Sequence, residues 1–129
     1  MKIENNDVLD LFREKQQCEL CNSRVGQCEP HHYYPKGMGG GHQMDVEFNL
    51  VALCRTCHQR CEDGVIPRRL VLLHIANRHG TTPEAIQESL WLIDRLPKGT
   101  SKGGILAAGA VIGGEVERIL RLTFSGVGV

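Results

Sequence analysis

Residues 18–58 read CELCNSRVGQCEPHHYYPKGMGGGHQMDVEFNLVALCRTCH, a segment that begins with one Cys-x-x-Cys pair and ends with a second pair followed by His58. The pairs are Cys18 with Cys21 and Cys54 with Cys57. Each pair has the spacing that lets two thiolates reach one ion, and a tetrahedral zinc site needs two such pairs. Two disulfides or four buried free cysteines are the alternatives. The paired spacing favours zinc, which would be structural because four thiolates leave no open coordination position.

The remaining cysteines and the N-terminal residues indicate the cellular setting. Cys28 and Cys61 could serve as alternative zinc ligands. Cysteine is commonly a small buried apolar residue, however, so we expect both to pack in the core. The opening run MKIENNDVLDLF lacks the long apolar stretch of a signal peptide. A chain that has six cysteines and no such signal is expected in reducing, intracellular surroundings, and hence in the cytoplasm.

Charge and hydropathy narrow the classes of function. The 129 residues carry 15 basic and 15 acidic side chains, so the formal net charge is zero. This composition lacks the excess positive charge that often marks a nucleic-acid-binding protein. The longest apolar stretch, residues 105–114, is far shorter than the roughly 20 residues that a membrane-spanning helix needs. We therefore expect no membrane-spanning segment.

The pattern of apolar residues predicts an α+β chain in four parts. Residues 1–17 contain an N-terminal helix. Residues 18–62 form a zinc-knuckle core in the order strand, loop, strand, helix. Residues 63–97 form a supporting helical hairpin with Pro and Thr signals at the starts of its helices. Residues 98–129 are a linker and a tail of unknown role, in which only residues 115–122 have a plausible helical pattern.

The order of residues in 31–58 resembles the HNH endonuclease family. That family's pattern is a His-His or Asp-His pair, a proline, a glycine-rich loop, an Asn-Leu step and then Cys-x-x-Cys-His. The resemblance covers about residues 18–60. It implies a small ββα-metal, treble-clef-like core on the four-cysteine zinc site, with an N-terminal helix and a C-terminal helical pair at its flanks. Many compact members of the family are carried by phages and mobile elements.

The resemblance also implies a role for each polar motif residue. His31 and His58 would bind a catalytic divalent ion, His32 would deprotonate water, and Asn49 would tie two segments together and so orient His32. Phosphodiester hydrolysis requires an activated water and a cation, and a histidine that titrates near neutral pH suits the first task. The catalytic ion is open among Mg²⁺, Mn²⁺, Ni²⁺ and Zn²⁺, although nitrogen ligands favour the transition metals.

Plainer interpretations of the same residues exist. Asn49 could cap the turn that follows it. The three histidines could be surface residues or neighbours of the zinc knuckle. His42, in the glycine-rich loop, is more typical of a solvated residue than of a ligand.

Basic residues near the motif predict where DNA would bind. The flanking residues that we assign to phosphate contacts are Arg24, Lys36, Arg55 and Arg60. Arg68 and Arg69 could extend this track, although exposed arginines are also ordinary solvated surface. The chain is therefore predicted to be a metal-dependent HNH DNA endonuclease with a single-metal mechanism and a histidine general base.

Two other functions stay open at this point. One is a zinc-knuckle module that binds nucleic acid or protein without cutting. The other is a nuclease subunit whose protein partner supplies specificity, or one that forms a homodimer through the apolar residues 105–114. The DNA substrate, whether a duplex, a nick or a junction, is equally open.

Overall fold

The computed structural model describes residues 2–34 and 43–124 of the chain. In this described part, helices and short strands form an α+β fold, as predicted. In chain order the elements are β1 (Lys2–Ile3), α1 (Asn6–Arg13), β2 (Glu29–His32), β3 (Gln43–Met44), a 3-10 helix (Glu47–Asn49), β4 (Leu50–Leu53), α2 (Arg55–Glu62), α3 (Arg68–Arg78), α4 (Pro83–Arg95), α5 (Lys102–Ile112) and α6 (Gly114–Phe124).

Strands β2 and β4 form the antiparallel ladder that carries the two adjacent histidines. The register pairs Glu29 with Leu53 and His32 with Leu50. All of β4 is buried, since its Leu-Val-Ala-Leu sequence is apolar throughout and suits a covered strand. β2 is only partly buried, and adjacent residues such as His31 and His32 direct their side chains to opposite faces of a strand. The ladder therefore presents one histidine on each side of β2.

Helix α2 follows β4 directly, so that β2, β4 and α2 form a ββα-like unit. Cys54 is the N-cap of α2, and its sulfur accepts a hydrogen bond from the backbone amide of Cys57. The helix packs against both strands of the ladder. This order of elements is the one that the sequence predicts for the zinc-knuckle core.

Helices α3 and α4 pack against each other, and α3 also contacts β4. Their starts agree with the sequence signals. Pro67 immediately precedes α3, and the Thr82 hydroxyl accepts a hydrogen bond from the amide of Ala85 at the start of α4. The largest fully buried side chains of the two helices are Leu72, Ile75, Ile86, Leu90 and Ile93. These two helices therefore share the main hydrophobic core with the ββα-like unit.

The C-terminal part is more helical than the predicted linker and tail, in which only residues 115–122 have a plausible helical pattern. The described residues contain two further helices, α5 and α6, of which α5 has no counterpart in the sequence prediction. The Ser101 hydroxyl begins α5 by accepting a hydrogen bond from the amide of Gly104. Glycines lower intrinsic helix propensity, which is why the sequence favours a linker here. Packing of α5 against α6 and α4 overrides that preference.

Glycine suits both the contact and the turn between α5 and α6. A Cβ atom at Gly109 would lie 2.7 Å from Cδ1 of Leu120, so glycine permits the close approach of the two helices. The turn uses positive φ angles of 73° at Gly113 and 58° at Gly114, where glycine carries no steric penalty. Among the described helices, none combines the length and the apolar character needed to cross a membrane.

An ion cluster joins the first cysteine pair to β4 and α3. Glu19, which lies between Cys18 and Cys21, accepts hydrogen bonds from the Ala52 amide at 2.6 Å and from Arg78 Nη1 at 2.7 Å. Arg78 Nη2 donates to the Leu50 carbonyl at 2.7 Å. Burial raises the pKa of Glu19, but the bonds from Ala52 and Arg78 outweigh it and hold the pKa below its ordinary value. The carboxylate is therefore ionised and anchors the knuckle.

Replacing Arg78 by methionine should lower the free energy of unfolding by about 2 kcal/mol, because Glu19 and two backbone carbonyls lose a charged donor. Chemical denaturation of the zinc-loaded chain measures this change. Arg121→Met is the control, since Arg121 pairs with Glu117 on the surface of α6 and its loss should cost less than about 0.5 kcal/mol. Equal effects of the two variants would contradict the anchoring role of Arg78.

Candidate metal centres

The two Cys-x-x-Cys pairs come together in one group. Sulfur atoms of Cys18, Cys21, Cys54 and Cys57 all lie within 4.8 Å of one another, and the Cys21 and Cys54 sulfurs are 3.8 Å apart. Three of the four side chains are buried and Cys21 is exposed. A four-sulfur group of this kind can hold a structural metal such as zinc.

The surroundings of the sulfurs fit a cation. Backbone amides of Cys21 and Cys57 donate to the sulfurs of Cys18 and Cys54, respectively, as amides do to thiolates. Hydrogen bonding with Ser23 lowers the pKa of Cys21 to about 6. Burial instead raises the pKa of Cys57, because a lone thiolate among other sulfurs is costly. A bound cation removes that cost by neutralising all four thiolates together.

The two remaining cysteines lie outside this group. Cys28 is buried among Leu9, Phe12, Leu50 and Ala52 in a small apolar cluster beside α1. Cys61 is half-buried at the edge of the main core.

A second group of possible ligands lies on the other side of α2. One ligand atom from each of His31, His58 and Glu62 lies within 4.8 Å of the others, and the two imidazole centroids are 5.1 Å apart. Glu62 is a residue that the sequence prediction missed. Its spacing of four from His58 was the available signal, because residues i and i+4 share a helix face.

The surroundings of the two imidazoles suit a ligand role. His58 Nδ1 lies 2.6 Å from a Glu29 carboxylate oxygen, and His58 Nε2 lies 3.4 Å from Glu62. A carboxylate at Nδ1 favours the tautomer whose lone pair is on Nε2, as in the carboxylate-histidine-metal arrangement. Burial, followed by the charge of His58, lowers the pKa of His31. His31 is therefore neutral near pH 7, which is the form that binds metals.

His32 lies outside this ligand group and contacts a buried carboxylate instead. Its Nε2 is 2.7 Å from Oδ1 of Asp45, a residue that is only 1% exposed. The other Asp45 oxygen accepts a hydrogen bond from the Asn5 amide at 2.9 Å. Asp45 carries no motif signal, because its partners lie far away in the sequence. It is the second site residue that the sequence prediction missed.

Asn49 joins the backbone on the two sides of residues 35–42. Its Oδ1 accepts from the Tyr34 amide at 2.7 Å, and its Nδ2 donates to the Met44 carbonyl at 2.9 Å. The side chain is fully buried. Its own carbonyl accepts from the amide of Tyr33, the residue after His32. These bonds fix the end of β2 relative to the following segment.

A cavity of about 670 Å³ contains the candidate catalytic residues. It is lined by side chains that include His31, His32, His58 and Glu62, together with Arg13 and Arg68.

The arginines predicted from sequence to contact DNA lie elsewhere. None of Arg24, Arg55 and Arg60 lines this cavity in the described part of the chain. Arg55 instead pairs with Glu29 at 3.2 Å and is 86% exposed. The predicted contact Lys36, like His42, lies outside the described residues.

No family model, curated protein or solved structure matches this chain. The resemblance to HNH endonucleases therefore stays a sequence-based interpretation, carried by the order of the motif residues in 31–58. The structure establishes a coarser description, which is an α+β chain with a ββα-like unit and a four-cysteine group that can hold a metal.

Zinc content tests the four-cysteine site. We expect Cys57→Ser to lose one zinc ion per chain and to melt at a much lower temperature, because structural zinc supplies folding free energy. Elemental analysis and thermal melting measure both effects. Cys28→Ser, which alters a buried cysteine outside the group, should keep its zinc. Retention of the full zinc content by Cys57→Ser would exclude the four-cysteine site.

Proposed function

We propose that this protein is a metal-dependent DNA endonuclease of the HNH type, which hydrolyses phosphodiester bonds with His32 as general base. One observation carries the proposal. A cavity holds a candidate ligand group, His31 with His58 and Glu62, and beside it a histidine paired with a buried carboxylate. Hydrolysis of a phosphodiester needs a cation site and a proton acceptor that face the same substrate.

The metal-binding residues would be His31 and His58, with Glu62 as a third ligand. When bound, a divalent cation would stabilise the negative charge that develops on the phosphate. Two imidazoles and one carboxylate suit Mn²⁺, Ni²⁺ or Zn²⁺ better than Mg²⁺, which prefers oxygen ligands. Glu29 would hold the His58 ring in place through its bond to Nδ1.

His32 would take the proton from the attacking water. When its Nε2 donates to Asp45, the lone pair on Nδ1 is free to accept that proton. The Asp45 carboxylate would hold the ring in this orientation and stabilise the imidazolium that forms, as the buried carboxylate does in a serine protease triad. The Asn5 amide would in turn hold Asp45 in place.

Asn49 would be a positioning residue in this mechanism. Its hydrogen bonds to the backbone of Tyr34 and Met44 hold the segment that carries Asp45 against the end of β2. His32 and Asp45 come from these two segments, so the distance between them depends on the Asn49 amide. This gives a physical reason for the orienting role that the sequence resemblance implies.

Nicking of supercoiled plasmid tests the proposed function. The zinc-loaded chain should nick DNA when Mn²⁺, Ni²⁺ or Mg²⁺ is added, and His32→Ala should lower the rate at least about 100-fold, because it removes the general base. The control is His74→Gln, since His74 contacts Glu19 and lies outside the cavity. No cleavage of duplex, nicked or branched DNA with any metal would favour a zinc-knuckle binding module instead.

Metal binding tests the ligand group without requiring catalysis. Glu62→Gln should weaken binding of Mn²⁺ or Ni²⁺ to the zinc-loaded chain roughly tenfold or more, because it removes a charged ligand. Isothermal titration calorimetry measures the affinity. Asp63→Asn makes the same charge change one residue away, outside the ligand group, and should bind like the wild type. If both variants bind equally, Glu62 is not a ligand.

A further inference from the structure

Two arginines line the candidate active-site cavity, and they differ in how their charge is balanced. Arg13 forms an ion pair with Asp10 at 2.8 Å. Arg68 has neutral partners: its Nη2 donates to the Tyr33 carbonyl at 3.0 Å, and its guanidinium carbon lies 4.9 Å from the centre of the Tyr33 ring. Among the described residues, no carboxylate lies within salt-bridge distance of Arg68.

The contacts of Arg68 hold it in place without neutralising it. A guanidinium has five N–H donors in a planar fork, and the Tyr33 carbonyl takes one of them. The remaining donors and the full positive charge are available to an anion in the cavity.

The anchor of Arg68 also sets its distance from the proposed base. Tyr33 follows His32 directly in the chain, so a guanidinium fixed to the Tyr33 carbonyl stays beside the end of β2. An anion held by Arg68 would lie within reach of both His32 and the candidate ligand group. A planar fork of donors matches two oxygens of one phosphate.

We propose that Arg68 binds the phosphodiester of the nucleic-acid substrate in this cavity, an assignment that rests on the proposed function. Within the cavity the phosphate contact would come from Arg68, since Arg24, Arg55 and Arg60 do not line it. The guanidinium would place the phosphate between the cation ligands and His32.

The neighbouring residue supplies a matched control. Arg69 is exposed, as Arg68 is, but it pairs with Glu84 at 3.4 Å and does not line the cavity. Arg69→Gln therefore removes the same formal charge one residue away. Long-range attraction of DNA changes equally in Arg68→Gln and Arg69→Gln, so any difference between them reports on the cavity.

The test measures binding of DNA and of phosphate under conditions in which no cleavage is expected. The zinc-loaded full chain, with no other divalent ion added, is titrated with a fluorescently labelled DNA duplex and, separately, with inorganic phosphate. Anisotropy reports DNA binding, and NMR signals of the His31 and His58 rings report phosphate binding. Arg68→Gln should weaken binding of both probes roughly tenfold or more relative to Arg69→Gln, because it removes charged hydrogen bonds. Zinc content and melting temperature must match the wild type.

Arg68→Lys is a second variant that keeps the charge and loses the planar fork. It should bind both probes more weakly than the wild type and more tightly than Arg68→Gln. Equal binding by Arg68→Gln and Arg69→Gln would overturn the proposal. Loss of phosphate binding with unchanged DNA binding would also overturn it, since the ligand would then be a free phosphate. If the wild-type chain cuts no DNA but Arg68→Gln still weakens the binding of both probes, only the proposed nuclease activity is refuted.

Discussion

The sulfur atoms of four cysteines lie within 4.8 Å of one another in a largely buried group, where thiolates would repel strongly unless a central cation neutralised them. This constraint joins two segments that are distant in the sequence. His58 follows Cys57 directly, so the helix that supplies a thiolate also supplies an imidazole to the second ligand group. Glu19 lies inside the first cysteine pair and connects it to Arg78 of α3. The knuckle therefore sets the position of the candidate active site as well as its own.

The adjacent histidines of β2 meet different surroundings within one cavity. His31 lies near His58 and Glu62, and burial keeps it in the neutral form that a cation needs. His32 meets the Asp45 carboxylate, which is suited to stabilising an imidazolium. The proposed ligand and the proposed base would need different surroundings, and adjacent positions of a strand can provide them because its side chains alternate.

The placement of charged residues around the cavity, and not the net charge of zero, decides where an anion would bind. Several arginines are balanced by nearby carboxylates, as Arg55 is by Glu29 and Arg69 by Glu84. Arg68 is held by a carbonyl and a ring, and it lines the cavity. A neutral chain can in this way concentrate a positive potential where an anion would bind.

The sequence by itself determined the features that depend on local spacing. The paired cysteines, the apolar strand β4 and the capped start of α4 follow from residues a few positions apart. Features that need contacts between residues far apart in the sequence were decided by the tertiary structure alone. Helix α5 is stabilised by packing of Gly109 against Leu120. Asp45 lies beside His32, and Arg68 lines the cavity, only because the fold brings distant segments together. Such contacts leave no periodic pattern, because the chain must fold before the partners meet.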